Sequence, residues 1–254
     1  MEFSYENFVN NYTVNIFTDA ATGGKNEGYC AYGCLSLWGW NALNNPMYIE
    51  EGITNNSGEA RGIACGVHEA IRLRNTGFAG VINIFSDSLI TLQNLKYGVK
   101  RWKEYYSYSN DINADMGIVL RDNKEMPNFE DYVDIVKSIG LYEPNISFYH
   151  VKGHMINGRS VNIKEAKKKF CNINEINPEQ VEDNFIHYIC TGNNDIDLRL
   201  GNLILYYKPY FYNRYPHLNT PTKPITELPY NGFNEIKQNY LNQICTGGTY
   251  IYAR

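Results

Sequence analysis

A chain of 254 residues, 43% hydrophobic and 20% charged, is long enough for one sizeable core, or for one core with a smaller appendage. A formal net charge of −4 argues against a uniformly basic nucleic-acid protein, although "LKYGVKRWK" (95–103) is a local cationic run without an acid. No run approaches 18 apolar residues and the start "MEFSYENFVN" lacks a basic-then-apolar leader, so neither a membrane span nor a secretory signal is expected.

The elements alternate cleanly over the first 150 residues. A strand is expected at 12–18, a second at 28–39 ("GYCAYGCLSLWG") and a third near 46–52. The pattern then predicts a helix over 57–75, with Ala60, Ile63, Ala64, Val67, Ala70 and Ile71 on one stripe and Ser57 as its N-cap. "GVINIF" (80–85) reads as a buried strand and 87–98 as a short helix opening with an acid. After a polar stretch come an amphipathic helix at 128–140 and a last strand, "NISFYHVKG" (145–153). Three strands, then helix, strand, helices and strand describe an α/β fold with a mixed sheet and helices packed on it. No G-x-G-x-x-G or phosphate-cradling loop occurs.

Beyond 155 the texture changes. Residues 155–192 read as an insertion with short helices near 162–170 and 178–190, and a helix follows at 194–205. The last 50 residues are rich in Tyr, Pro and Asn. The expected division is therefore 1–205 as one domain carrying the insertion, and 206–254 as an extension. The six cysteines form no CxxC pair and lie mostly in apolar patterns, so they read as reduced and buried.

Three acids stand at equivalent places: Asp19 at the end of the first strand, Glu59 at a helix start, and Asp87 just after "GVINIF". Singly, each is an ordinary turn, dipole or capping residue. If the two strands are neighbours, the three converge. Clustered carboxylates repel, and an oxygen-only set calls for a hard cation such as Mg²⁺ or Mn²⁺.

"IFTDA", "TNNSGEARG", "INIFSDS" and "YHVKGH", in this order and spacing, resemble type 1 ribonuclease H. The likeness covers about 12–154 and 193–205. It implies a ribonuclease H-like fold, a five-stranded sheet flanked by helices, and an endonuclease that hydrolyses the RNA strand of RNA–DNA hybrids with two Mg²⁺ ions, leaving 5′-phosphate and 3′-hydroxyl ends. In that pattern Asp19, Glu59, Asp87 and a fourth acid hold the metals. Asn193 with Asp197 four residues on fits the family spacing, and Asp195 is the competitor. The resemblance also gives His154 a role in proton transfer or product departure. Thr54 would bind a DNA phosphate, and Asn55 and Asn56 the minor groove of the hybrid. Lys100, Arg101 and Trp102 resemble the family's basic contact region, with a solvated helix face as the bland alternative.

The chain departs from the family in its spacing, with His154 and Asn193 standing 39 positions apart. Such an insertion could serve as a lid, extend substrate contact or block access. Its cationic run Lys164, Lys167, Lys168 and Lys169 favours extended hybrid contact. No membrane partner is expected, and the extension is a candidate surface for a protein partner. The expected compartment is the cytoplasm, or the host cytoplasm for a viral source.

Overall fold

Strand β1 (Thr13–Thr22) alternates strictly: Val14 and Ile16 enter one core, Asn15 and Phe17 the other. A strand buried on both faces must lie mid-sheet with helices on either side. The computed structural model, which describes residues 2–23, 28–39, 41–43, 45, 47–109, 131–132, 135–136, 139, 146–157 and 160–214, shows that arrangement. Antiparallel to β1 runs β2 (Tyr29–Trp38), and β3 (Asn41–Ala42) and β4 (Met47–Glu51) pair successive parts of its far edge. On the other side β5 (Val81–Ser86) pairs β1 in parallel and β6 (Ile146–His150) pairs β5 in parallel. With β3 and β4 sharing one edge, the order β3/β4-β2-β1-β5-β6 makes a six-stranded mixed sheet five places wide, flanked by helices as expected.

Helix α1 (Tyr5–Phe8) precedes the sheet. One face of the sheet carries α2 (Asn55–Asn75), α3 (Leu89–Ser109) and the helical residues 131, 132, 135, 136 and 139. The other carries α1, α4 (Ile163–Asn174) and α5 (Asp183–Arg214) around an aromatic core of Phe3, Phe8, Phe17, Phe85, Phe170 and Phe185. A short hairpin, β7 (Ile156–Asn157) and β8 (Ser160–Val161), leads into α4.

Several expectations need correcting. Helix α2 starts earlier than predicted, because Thr54 rather than Ser57 is the N-cap and accepts from the Ser57 amide at 3.2 Å. Its buried face includes Gly58, Gly62 and Gly66, while Ala64 and Ile71 are only half-buried. Helix α3 does not stop near 98, so the cationic run lies on a helix. The helices expected at 178–190 and 194–205 are one, preceded by a 3₁₀ turn at Pro178–Gln180. "TGNND" looks like a break, yet Gly192 serves packing. A Cβ there would lie 2.3 Å from Cζ of Phe17, so the missing side chain lets α5 settle on β1.

The insertion is no loose appendage either. Ala166, Phe170 and Cys171 are buried, and Phe170 packs edge-on to Phe3 and Phe185. The N-terminal segment ties it down, since Phe3 N donates to Gln180 O and Glu182 N donates to Phe3 O. The aromatic run begins as more of α5: Phe211 meets Tyr29 at 4.6 Å, and Tyr207 Oη donates to Glu51 at 2.6 Å. Residues 215–254, most of the expected extension, lie outside the described residues. Among those described, four of five cysteines are buried and no helix is long and apolar enough to cross a membrane.

Candidate metal centre

The parallel register places the acids. Thr18 pairs with Ser86 at the last β1–β5 position, so Asp19 and Asp87 come next, side by side where β5 ends. Asp19 is thus at the end of the pairing and not, as expected, of its strand, since β1 runs on to Thr22 against β2. Glu59 arrives from α2, which can lie this close because Gly62 has no side chain. A Cβ there would sit 2.7 Å from the Asp19 carbonyl. One oxygen each from Asp19, Glu59 and Asp87 falls within 4.8 Å of the others.

The fourth acid comes from α5. Asp195 is buried and bonded to Arg199, Nη2 to Oδ2 at 3.1 Å. Asp197 instead bears on the cluster, and its charge reaches Asp19, Glu59 and Asp87. One turn earlier, buried Asn193 gives a hydrogen bond to Asp87.

Burial dominates the electrostatics. Asp19 and Glu59 are only 4% and 8% exposed. Burial, then the charge of Asp87, pushes Asp19 up to about 8, against the pull of a 2.7 Å bond from the Ala20 amide to its Oδ1. Glu59 rises to about 9 through burial, then Asp19 and Asp87, with the Asn55 side chain opposing. Asp87 is raised by burial and then Asp197, while His154 and Asn193 hold it back. Glu59 Oε2 and Asn193 Oδ1 are buried without a hydrogen-bond partner. Orphaned acceptors beside carboxylates that resist ionising are what a hard divalent cation would satisfy, so the donor set fits Mg²⁺ or Mn²⁺.

The remaining site residues spread around this centre. Gly153 lies against Asp87, where a Cβ would come 2.2 Å from Oδ2. It turns the chain into His154, which is 83% exposed, left-handed (φ 55°), and 3.6 Å through Nδ1 from Asp197 Oδ2. Thr54 caps α2, and Asn55 and Asn56 are exposed on its first turn. Lys100 is exposed on α3, while the side chains of Arg101 and Trp102 lie outside the described residues. In the insertion, Lys167 pairs with Asp183 at 2.9 Å and Lys169 with Glu165 at 2.5 Å, so half of the four-lysine run is internally neutralised. Lys164 and Lys168 remain exposed.

The glycines against Asp19 and Asp87 are missing from the sequence expectations. A signal existed, since Gly58, Gly62 and Gly66 repeat at four-residue spacing, which lines one helical face.

No family model matches the chain, and no curated protein does. Solved structures similar to it include the prototype foamy virus protease-reverse transcriptase (14% identity, TM-score 0.43), covering 66% of this chain and 22% of that one. This chain thus spans about a fifth of that protein's length. The RNase H domain of the same virus has 14% identity and a TM-score of 0.44, covering 63% and 90%. LC11-RNase H1, from a compost metagenome and solved with an RNA/DNA hybrid, has 16% identity and a TM-score of 0.39, covering 60% and 92%.

Proposed function

We propose that this chain is a divalent-metal-dependent nuclease that hydrolyses the RNA strand of RNA–DNA hybrids and leaves 5′-phosphate and 3′-hydroxyl ends. The observation that carries the reading is the Asp19–Glu59–Asp87 cluster, with Asp19 and Glu59 buried, Asp87 half-buried and one Glu59 oxygen orphaned, faced by Asp197. A structural cluster would be expected to carry its own cations, and among the described residues no ion pair joins Lys or Arg to any of these three acids.

Asp19, central to the group, would hold two divalent ions together with Glu59, Asp87 and Asp197. Bound there, the ions supply Lewis-acid activation of the attacking water and neutralise charge on the leaving 3′ oxygen. The protein's own residues do the rest. Asn193 holds Asp87 in place. His154, exposed beside Asp197, would pass a proton to or from the reacting groups. Asn55 and Asn56 present amides that suit sugar hydroxyls and base edges in a wide minor groove. Exposed Lys100 supplies charge for backbone phosphate.

Incubation with strand-labelled RNA–DNA, RNA–RNA and DNA–DNA duplexes, with Mg²⁺ or with chelator, tests this. Cutting of the hybrid's RNA strand in Mg²⁺ alone is expected. Tight hybrid binding without cutting would make the chain a binding module, and cutting of DNA would change the substrate.

A further inference from the structure

Asp87 lies one residue beyond the last β5–β6 pair, Ser86 with His150, where a strand end frays unless something holds it. Two features of β6 hold it. The His150 ring is buried and its Nε2 lies 3.0 Å from the Asp87 carbonyl oxygen. A carbonyl only accepts, so Nε2 carries the proton and donates. Gly153, three residues on, packs against the Asp87 carboxylate.

The end of β6 is in turn held by the insertion. Asn174, the last residue of α4, accepts from His150 N through Oδ1 at 2.8 Å and donates from Nδ2 to His150 O at 2.8 Å. One side chain therefore satisfies both backbone groups of His150 on the open edge of the sheet, as a neighbouring strand would. Nδ2 also donates to Phe170 O at 2.9 Å, and Phe170 is anchored in the aromatic core with Phe3 and Phe185.

The other ring nitrogen, His150 Nδ1, is buried without a partner. A phenyl ring would fill the same space without that cost. The geometry points to the bond at Nε2 as what the imidazole contributes. We propose that His150 and Asn174 are positioning residues for Asp87, so that the segment between His154 and Asp197 acts on the acidic centre through the end of β6 rather than as a lid. The inference rests on the metal-site reading above. Groups that orient a metal's ligands typically change affinity or activity about 10–100-fold when removed.

The test uses the full chain and follows Mg²⁺ by the shift in melting temperature, alongside kcat and KM for a hybrid. His150→Phe, which sheds the unpartnered Nδ1 but leaves the Asp87 carbonyl without its donor, should change metal-free melting little, raise the Mg²⁺ midpoint about tenfold or more, and lower kcat with little change in KM. His150→Gln, whose Nε2 can still donate to the Asp87 carbonyl, should recover most of the loss. Asn174→Ala should weaken Mg²⁺ binding in the same direction. A His150→Phe protein that binds Mg²⁺ as the wild type does would overturn the positioning role and leave the metal site standing. A wild type without saturable Mg²⁺ binding would overturn the metal site itself.

Discussion

Replacing Asp19 by Asn should make the metal-free protein more stable, increasingly so as pH rises. With its carboxyl lifted from an ordinary 3.8 to about 8, Asp19 keeps a proton in the folded chain that the unfolded chain has released throughout that interval. A raised acid contributes stability at low pH that is lost as pH climbs through the folded value, at about 1.4 kcal/mol per pH unit. The accumulated loss is on the order of 2 kcal/mol at pH 5 and about twice that at pH 7. Asn is nearly isosteric, keeps an acceptor for the Ala20 amide, and removes the titration. Recovering half of the loss at pH 7 corresponds to a rise of roughly 4–8 °C for a domain of this size. Thermal unfolding in chelator at pH 5, 7 and 8.5 would show the gap between variant and wild type widening with pH, and saturating Mg²⁺ would narrow or reverse it by binding the folded wild type. A gap independent of pH, or a variant less stable throughout, would refute the buried, mutually repelling cluster.

Mg²⁺ should raise the melting temperature of the wild type and raise that of Asp87→Asn less, which a metal titration followed by melting would measure. Gly62→Ala forces α2 off the Asp19 backbone and should cost about 1–3 kcal/mol, read by denaturant unfolding, while weakening Mg²⁺ binding because Glu59 moves with the helix. Lys164→Ala with Lys168→Ala should flatten the salt dependence of hybrid binding by up to about 0.9 log unit per lost phosphate contact. Lys167→Ala, which loses an ion pair to the exposed Asp183, should leave that slope unchanged and cost at most about 1 kcal/mol in an unfolding assay.

The sheet and the acids were legible because both depend on short, local patterns. "GVINIF" reads as a buried run from its own composition, and an acid two residues after it emerges at the strand end. What stayed illegible depends on partners distant in sequence. Phe3 and Phe8 read as part of an undistinguished acidic start, yet they are buried against Phe170 and Phe185 across more than 150 residues. The break expected between 190 and 194 is absent because Gly192 lies inside α5, where the Phe17 ring occupies the space a side chain would need. Lysines 167 and 169 read as a free cationic face because their acidic partners are set by the turn between α4 and α5 and by helical spacing. The choice between Asp195 and Asp197 rested on spacing alone, and the Arg199 side chain separates their environments.

The most direct measurement is single-turnover cleavage of an RNA–DNA hybrid, with either strand labelled, by the wild type, Asp197→Asn and Asp195→Asn in saturating Mg²⁺. Only the RNA strand should be cut, with 3′-hydroxyl ends. Asp197→Asn should lose about 100-fold or more in rate, while Asp195→Asn, which only gives up its bond to Arg199, should stay within about tenfold of the wild type. Cleavage of the DNA strand, cleavage that persists in chelator, or a loss confined to Asp195→Asn would contradict the assignment.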